Sequence, residues 1–575
     1  MRYFPLILSL FFAAPLPAQQ PPKYFKIQIL DDQTNRGVPL VELTTTADVT
    51  YITDSNGLIA LEDPALINQK VFFHIKSHGY EYPKDGFGFR GARLDITEGG
   101  SATLKIKRTN IAERLYRITG EGIYRDSILL GEKTPLKNPL LNAQVTGQDS
   151  VMAIPYRNKI YWFYGDTNRP SYPLGQFATS GAISELPTNG GLDPNLGIDL
   201  TYFTGNPGEK GFSRPMIAID GPGVKWLTGI MTVPDQTGRQ RLVARYDHRK
   251  GLAERIEHGL LLYNDEKEIF EKALAFKADA PLFPDAIPFK VSGSGTPAQH
   301  NDYYYFPGPY TLPLARVKAT LKDVLNPDSY EGFVNSSWKA ATKPTPIQTL
   351  IDFETGKPFA GAAVLGSVNW NPYRNRWIMI AQKGMDQTYY FEADTPIGPW
   401  VYGRRIVKYD HYTMYNVALH PFFNQENGRL IYFEGTYTRE FSDAPVATPR
   451  YNYNQLMYRL DLSDPRLILP VPVYKIKDRY LLRDAIEKQN LWDKIDSIPF
   501  FAFDRPRDGL IPVYVGAALA AVPKGNQKPL FFALPKNTPD SPNLINLPAE
   551  NPFARVWRNP QTVLILDTAA RPPEP

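Results

Sequence analysis

From about residue 143 to residue 475 the sequence repeats one pattern in units of roughly 45–60 residues. Each unit has an apolar strand, a short polar turn, a Tyr/Trp/Phe-rich strand and a weaker outer strand. Such units cannot each bury an apolar face alone, but small sheets stacked around a common axis satisfy all of them, so the period predicts propeller blades. The first unit joins residues 151–156 to 159–164 through Arg157-Asn158. The second takes residues 224–231 and 241–246, and the third 289–291 and 303–306. The fourth takes 362–370, a turn over 371–375, 376–382 and 389–393; the fifth takes 417–420, the turn Asn427-Gly428, 429–434 and 456–462. Five blades fit the block. A sixth stays open, because residues 511–515 and 529–533 also read as strands.

Residues 24–107 read as a small β-sandwich, with alternating segments separated by Asp31-Asp32, Asn35-Arg36-Gly37 and Thr53-Asp54-Ser55-Asn56-Gly57. The expected fold class is therefore all-β, a small sandwich followed by a five-bladed propeller. Residues 108–142 form a connector, with 111–118 a candidate short helix. Residues 476–575 form a proline-rich C-terminal extension with a helical stretch over 481–491 and no assignable motif. At the N-terminus, Arg2, an apolar run over 4–14 and Pro17-Ala18 have the layout of an export signal, so residues 1–18 are expected to be removed and the protein to act in the periplasm or outside the cell.

Composition removes several function classes. Lys+Arg 64 against Asp+Glu 59 leaves +5, with no basic run interleaved with aromatics, so nucleic acid is not an expected partner. The chain has no cysteine, which excludes disulfides, thiol catalysis, cysteine zinc sites and iron–sulfur clusters. Beyond the leader no apolar run has spanning length, so no membrane span is expected.

The chemistry is concentrated around Gly147-Gln148-Asp149-Ser150 and Tyr161-Trp162-Phe163-Tyr164-Gly165-Asp166-Thr167-Asn168. If Arg157-Asn158 is a two-residue loop, Tyr156 faces Lys159, and Asp149 and Asp166 fall opposite each other with Cβ atoms about 4.5–5.5 Å apart. Two like charges so placed raise one carboxyl's pKa, leaving a proton donor beside an ionised partner, the working parts of glycoside hydrolysis. The same residues also suit strand-end turns, where Asp and Asn cap free backbone groups. Asp54 and Asn56 lack the later acidic residue of an EF-type calcium loop and read as turn formers.

Two resemblances add to this. Gly37-Val38-Pro39-Leu40-Val41, the turn at 53–57 and His78-Gly79-Tyr80 resemble the transthyretin-like domains related to the carboxypeptidase regulatory domain, which implies an accessory module without catalytic residues. The Gly-x-Asp turn before Val151 and the strand ending Gly165-Asp166-Thr167 resemble the first blade of five-bladed propeller glycosidases of the endo-D-arabinanase type. Ser367-Val368-Asn369-Trp370-Asn371-Pro372 and Asp394-Thr395-Pro396-Ile397-Gly398-Pro399-Trp400 resemble blade repeats of such enzymes. The resemblance implies Asp149 and Asp166 as the catalytic pair and a polysaccharide or oligosaccharide substrate. Arg169-Pro170-Ser171-Tyr172 departs from that pattern, which separates the substrate question from the fold.

A sugar site needs hydroxyl partners and flat aromatic faces. Arg214, His300, Trp370, Tyr415, Asn416, His420 and Glu434 are the candidates at predicted blade ends. His420 could serve as a sugar ligand or as a metal ligand at the propeller axis, where calcium would be the ion; no other cofactor is implied. The leading expectation is a secreted glycoside hydrolase. Its alternatives are a non-catalytic propeller binding a glycan or a protein at the envelope, and a polysaccharide lyase using a Tyr or His base.

Overall fold

A computed structural model of the 575-residue chain describes residues 24–206, 209–276, 287–293, 302–308, 313–348, 350–355, 359, 363–400, 402–477 and 479–502, with short strands farther on at 510–514, 529–533, 544–546, 555–558 and 564–566. The expected export signal at 1–18 and the candidate His300 lie outside these residues.

The N-terminal unit is two four-stranded sheets. One orders Leu58–Leu61, Phe25–Asp31, Ser101–Arg108 and Tyr80–Glu81; the other orders Thr50–Ile52, Glu42–Thr45, Gln69–Lys76 and Gly91–Ile96. Phe25–Asp31 alternates between buried and half-buried positions, as a strand with one face in a core must. Ile27, Ile29, Val41, Leu43, Phe73 and Ile75 fill the space between the sheets. In the turn at 53–57, the Asp54 carboxylate accepts the N–H of Asn56 at 2.9 Å and of Leu58 at 3.2 Å, while Gly57 takes φ 73°. Asp54 therefore shapes a turn, as its sequence context predicts.

Five sheets follow. Blade one is Val151–Tyr156, Lys159–Tyr164, Ser180–Glu185 and Thr201–Tyr202. Blade two contains Val224–Pro234, Gln240–Lys250, Glu254–Asn264 and Ile269–Phe276, with Ile217–Ala218 on its edge. Blade three begins with Phe289–Val291 and Tyr303–Pro307, and blade four with Ala363–Asn371, Arg376–Lys383 and Gln387–Ala393. Blade five is Thr413–Leu419, Leu430–Thr438 and Asn454–Asp461, completed by Glu113–Arg117. The opening strand of blade one meets those of blades two and five, and the opening strand of blade four meets those of blades three and five.

Separate apolar clusters fill the joints. Trp162 and Tyr432 belong to the one between blades one and five, Phe163 and Leu242 to the one between one and two, and Met231 and Phe306 to the one between two and three. Tyr305 and Met379 share the joint of blades three and four, and Ile380 and Phe433 that of four and five. The ring is thereby closed.

Glu113–Arg117 corrects the sequence reading of a helix over 111–118. All five residues are buried, and the segment pairs antiparallel with Asn454–Asp461, setting Leu456 against Arg117 and Arg459 against Glu113. The last strand of blade five would otherwise present unpaired backbone, and pairing satisfies it, so a non-local ladder overrides a local helical pattern. The expected connector thus supplies the strand that closes the ring. It also fastens the sandwich: buried Arg114 donates to the main-chain oxygens of Pro39, Leu40 and His78 and to Ser77 Oγ.

C-terminal to blade five, Val471–Ile476, Arg479–Leu481 and Ser497–Ala502 form a small sheet beside the helix Arg483–Lys488. Leu510–Tyr514 pairs with Pro529–Ala533 in a separate two-stranded sheet, so these strands do not form a sixth blade with any other described strand.

Candidate active site

The site begins with the first hairpin. Arg157 and Asn158 both take positive φ, 49° and 62°, the two-residue turn whose twist matches paired strands. Pairing runs from Tyr156 against Lys159 to Val151 against Tyr164, and the same register resumes with Gln148 against Thr167 and Gly147 against Asn168. Asp149 and Asp166 lie between these ladders, opposite each other. The Asp149 N–H reaches Asp166 O at 3.3 Å, and the Asp166 N–H donates to Asp149 Oδ1 at 2.9 Å.

Below the pair, the buried Gln148 side chain donates to Thr167 Oγ1 at 3.2 Å and accepts the Tyr202 hydroxyl at 2.8 Å. This fixes the strand carrying Asp149. Gly165 is needed for a steric reason: a Cβ there would sit 2.1 Å from Asp149 Oδ1.

The two carboxylates have unequal surroundings. Asp149 receives the Tyr415 hydroxyl at 2.7 Å, the Asp166 N–H, and hydrogen bonds from the Tyr453 and Ser150 hydroxyls. Burial raises its pKa, and these four donors oppose the rise by stabilising the anion. Asp166 receives one side-chain donor, Trp226 Nε1 at 2.8 Å. Burial first, and then the Asp149 charge, push Asp166 up to about 7. Both carboxyls are therefore raised above the usual range, and Asp149 has more donors to its anion than Asp166 has.

The pair opens into a cavity of about 710 Å³. Trp226, Tyr415, Asn416 and Tyr453 lie around the carboxylates; Phe441 and Leu252, 65% and 71% exposed, stand at its rim. Asn416 takes φ 52° and donates to Ser150 Oγ at 2.5 Å, so blade five grips blade one beside the pair. Among the described residues, no group of three or more His, Cys, Asp or Glu is placed to hold a metal ion.

Of the expected substrate-binding residues, Tyr415 and Asn416 line this cavity. The others that are described do not, and each has a structural occupation. His420 and Glu434 are buried at 1% and 0% exposure, joined Nε2 to Oε1 at 3.0 Å, with the Trp162 ring 5.2 Å from the imidazole. Arg214 is bound by the Glu268 carbonyl at 3.1 Å and its carboxylate at 3.5 Å. Trp370 lies under the Arg483 guanidinium at 4.9 Å, where it holds the C-terminal helix against blade four. Trp226, within Val224–Pro234, and Tyr453, just before Asn454–Asp461, were not singled out from sequence, because which aromatic reaches Asp166 or Asp149 depends on how blades two and five meet blade one.

No family model matches the sequence, and no curated protein matches it. Solved structures with similarity include an exo-1,5-alpha-L-arabinanase from a bovine ruminal metagenomic library, at 11% identity and TM-score 0.31, covering 55% of this chain and 93% of that one. An exo-beta-1,3-galactanase from Phanerochaete chrysosporium has 11% identity and TM-score 0.33 over 56% of this chain and 64% of its own. A GH43_1 enzyme from Xanthomonas citri, complexed with xylotriose, has 8% identity and TM-score 0.31 over 55% of this chain and 86% of its own.

Proposed function

We propose that this protein is an exported glycoside hydrolase that cleaves a polysaccharide with Asp149 and Asp166. One observation carries the reading: two facing carboxylates share a cavity, one with four hydrogen-bond donors and the other with a single side-chain donor and a pKa pushed to about 7. Asp166 protonates the departing glycosidic oxygen. Asp149, as the carboxylate its four donors favour, activates water or attacks the anomeric carbon. Phe441 at the rim and Trp226 beside the pair supply faces on which sugar rings stack.

A lyase is less well supported, because burial and then the Asp149 charge push the hydroxyls of Tyr415 and Tyr453 far above their usual pKa, which keeps them protonated and leaves no phenolate to abstract a proton. The N-terminal sandwich we read as a transthyretin-like accessory module.

The test is reducing-end release from a panel of plant, algal and bacterial polysaccharides, comparing the parent with Asp149→Asn and Asp166→Asn. Loss in both folded variants supports the assignment. Unchanged release would place catalysis elsewhere, and retained glycan binding with no release from any substrate would favour a binding propeller.

A further inference from the structure

A second cleft lies where the sandwich meets the propeller, away from Asp149 and Asp166. It encloses about 290 Å³ and is lined from the sandwich by Tyr24, Tyr51 and Glu62, and from the propeller side by Arg117, Arg450 and Tyr451. That is close to the roughly 300 Å³ at which small-molecule sites begin.

Arg117 is 1% exposed, and its guanidinium is bound by main-chain oxygens and a tyrosine ring rather than by a described carboxylate. Its terminal nitrogens donate to the main-chain oxygens of Arg450 and Glu121, its guanidinium lies 4.8 Å from the Tyr451 ring centroid, and its Nε has no partner. A buried cation with no carboxylate in direct contact is costly, and proteins ordinarily pair it; here the charges of Glu121 and Asp54 act on Arg117 only from beyond ion-pair distance. Of the acids that line the cleft, Glu62 is exposed to solvent, and the two buried ones are held by other groups. Asp54 accepts the backbone N–H groups of Asn56, Leu58 and Ser127, and Asp126 accepts that of Ala60 at 2.9 Å. Two more arginines stand at the mouth: Arg125, 3.3 Å from Asp126, and Arg450, 3.2 Å from Glu121, with side chains 39% and 41% exposed.

We propose that this cleft binds an oxyanion, a carboxylate or phosphate group on a small molecule or glycan, with Arg117 at its base and Arg125 and Arg450 closing over it. Guanidinium groups match the planar or tetrahedral oxygens of such ligands, and the Tyr24 and Tyr51 rings leave room for an attached sugar or organic group. Contributions from both domains mean that the ligand would tie the sandwich to the ring.

The experiment is calorimetric titration of the full chain with inorganic phosphate and, separately, with galacturonate, at ionic strength fixed with sodium chloride. Arg125→Gln and Arg450→Gln, both at the exposed mouth, are the variants, with folding checked by circular dichroism. Saturable binding of either probe, weakened about tenfold or more in the folded variants, is the expected result. Phosphate binding alone would assign a phosphate group, and galacturonate binding alone a uronic acid. No saturable binding of either probe, or binding unchanged in both variants, overturns the proposal.

Discussion

Replacing Gly165 by alanine tests the site without touching a titratable group. The added methyl would lie 2.1 Å from Asp149 Oδ1 and 3.2 Å from its Cγ, so the carboxylate has to move. It is not free to do so. Oδ1 accepts the Asp166 N–H at 2.9 Å and Oδ2 the Tyr415 hydroxyl at 2.7 Å.

Overpacking of this kind costs about 1–3 kcal/mol of stability. Losing one hydrogen bond to a charged group costs about 1.5–3 kcal/mol, which in a transition state is roughly 10- to 150-fold in rate. Gly165→Ala should therefore melt somewhat lower than the parent and lose one to two orders of magnitude in kcat/KM on whichever polysaccharide the parent cleaves. The assay is initial-rate reducing-end release alongside a circular-dichroism melt. A variant that folds and retains parental kcat/KM would refute the placement of Asp149 in the chemistry.

Tyr415→Phe removes a donor that lowers the Asp149 pKa; the base must be ionised, so the acidic limb of kcat/KM should move to higher pH by about 1–2 units, read from a pH–rate profile. Asp166→Asn should raise thermal stability at pH 8. The Asp166 pKa is raised in the folded state, so its contribution favours folding below the unfolded value and is lost as pH rises through about 7; the gap between variant and parent should close toward pH 4 in a melting series. His420→Ala leaves the buried Glu434 carboxylate without its partner and should cost about 3–5 kcal/mol in urea unfolding, with activity per folded molecule retained.

The blade order was legible because each unit carries its own strand, turn and strand in sequence, and the Arg157-Asn158 turn sets a register from which Asp149 and Asp166 follow. Period-two patterns also marked the sandwich strands. What the sequence hid were relations between distant segments. Glu113–Arg117 is helix-compatible alone and becomes a strand only against Asn454–Asp461. His420 and Glu434 looked like polar groups at a blade end, yet Leu430–Thr438 is buried along its whole length, and there the two side chains are joined to each other. Trp226 reaches Asp166 because blades one and two pack side by side, a distance no local pattern encodes.

The assignment of Asp166 as the proton donor is tested most directly by the pH dependence of kcat/KM for the parent and for Trp226→Phe. The parent should lose activity with a midpoint near pH 7 as Asp166 ionises, and removing the indole N–H, which stabilises the ionised form, should carry that limb to higher pH while the acidic limb stays in place. An alkaline limb that does not move, or one absent from the parent, would contradict the assignment.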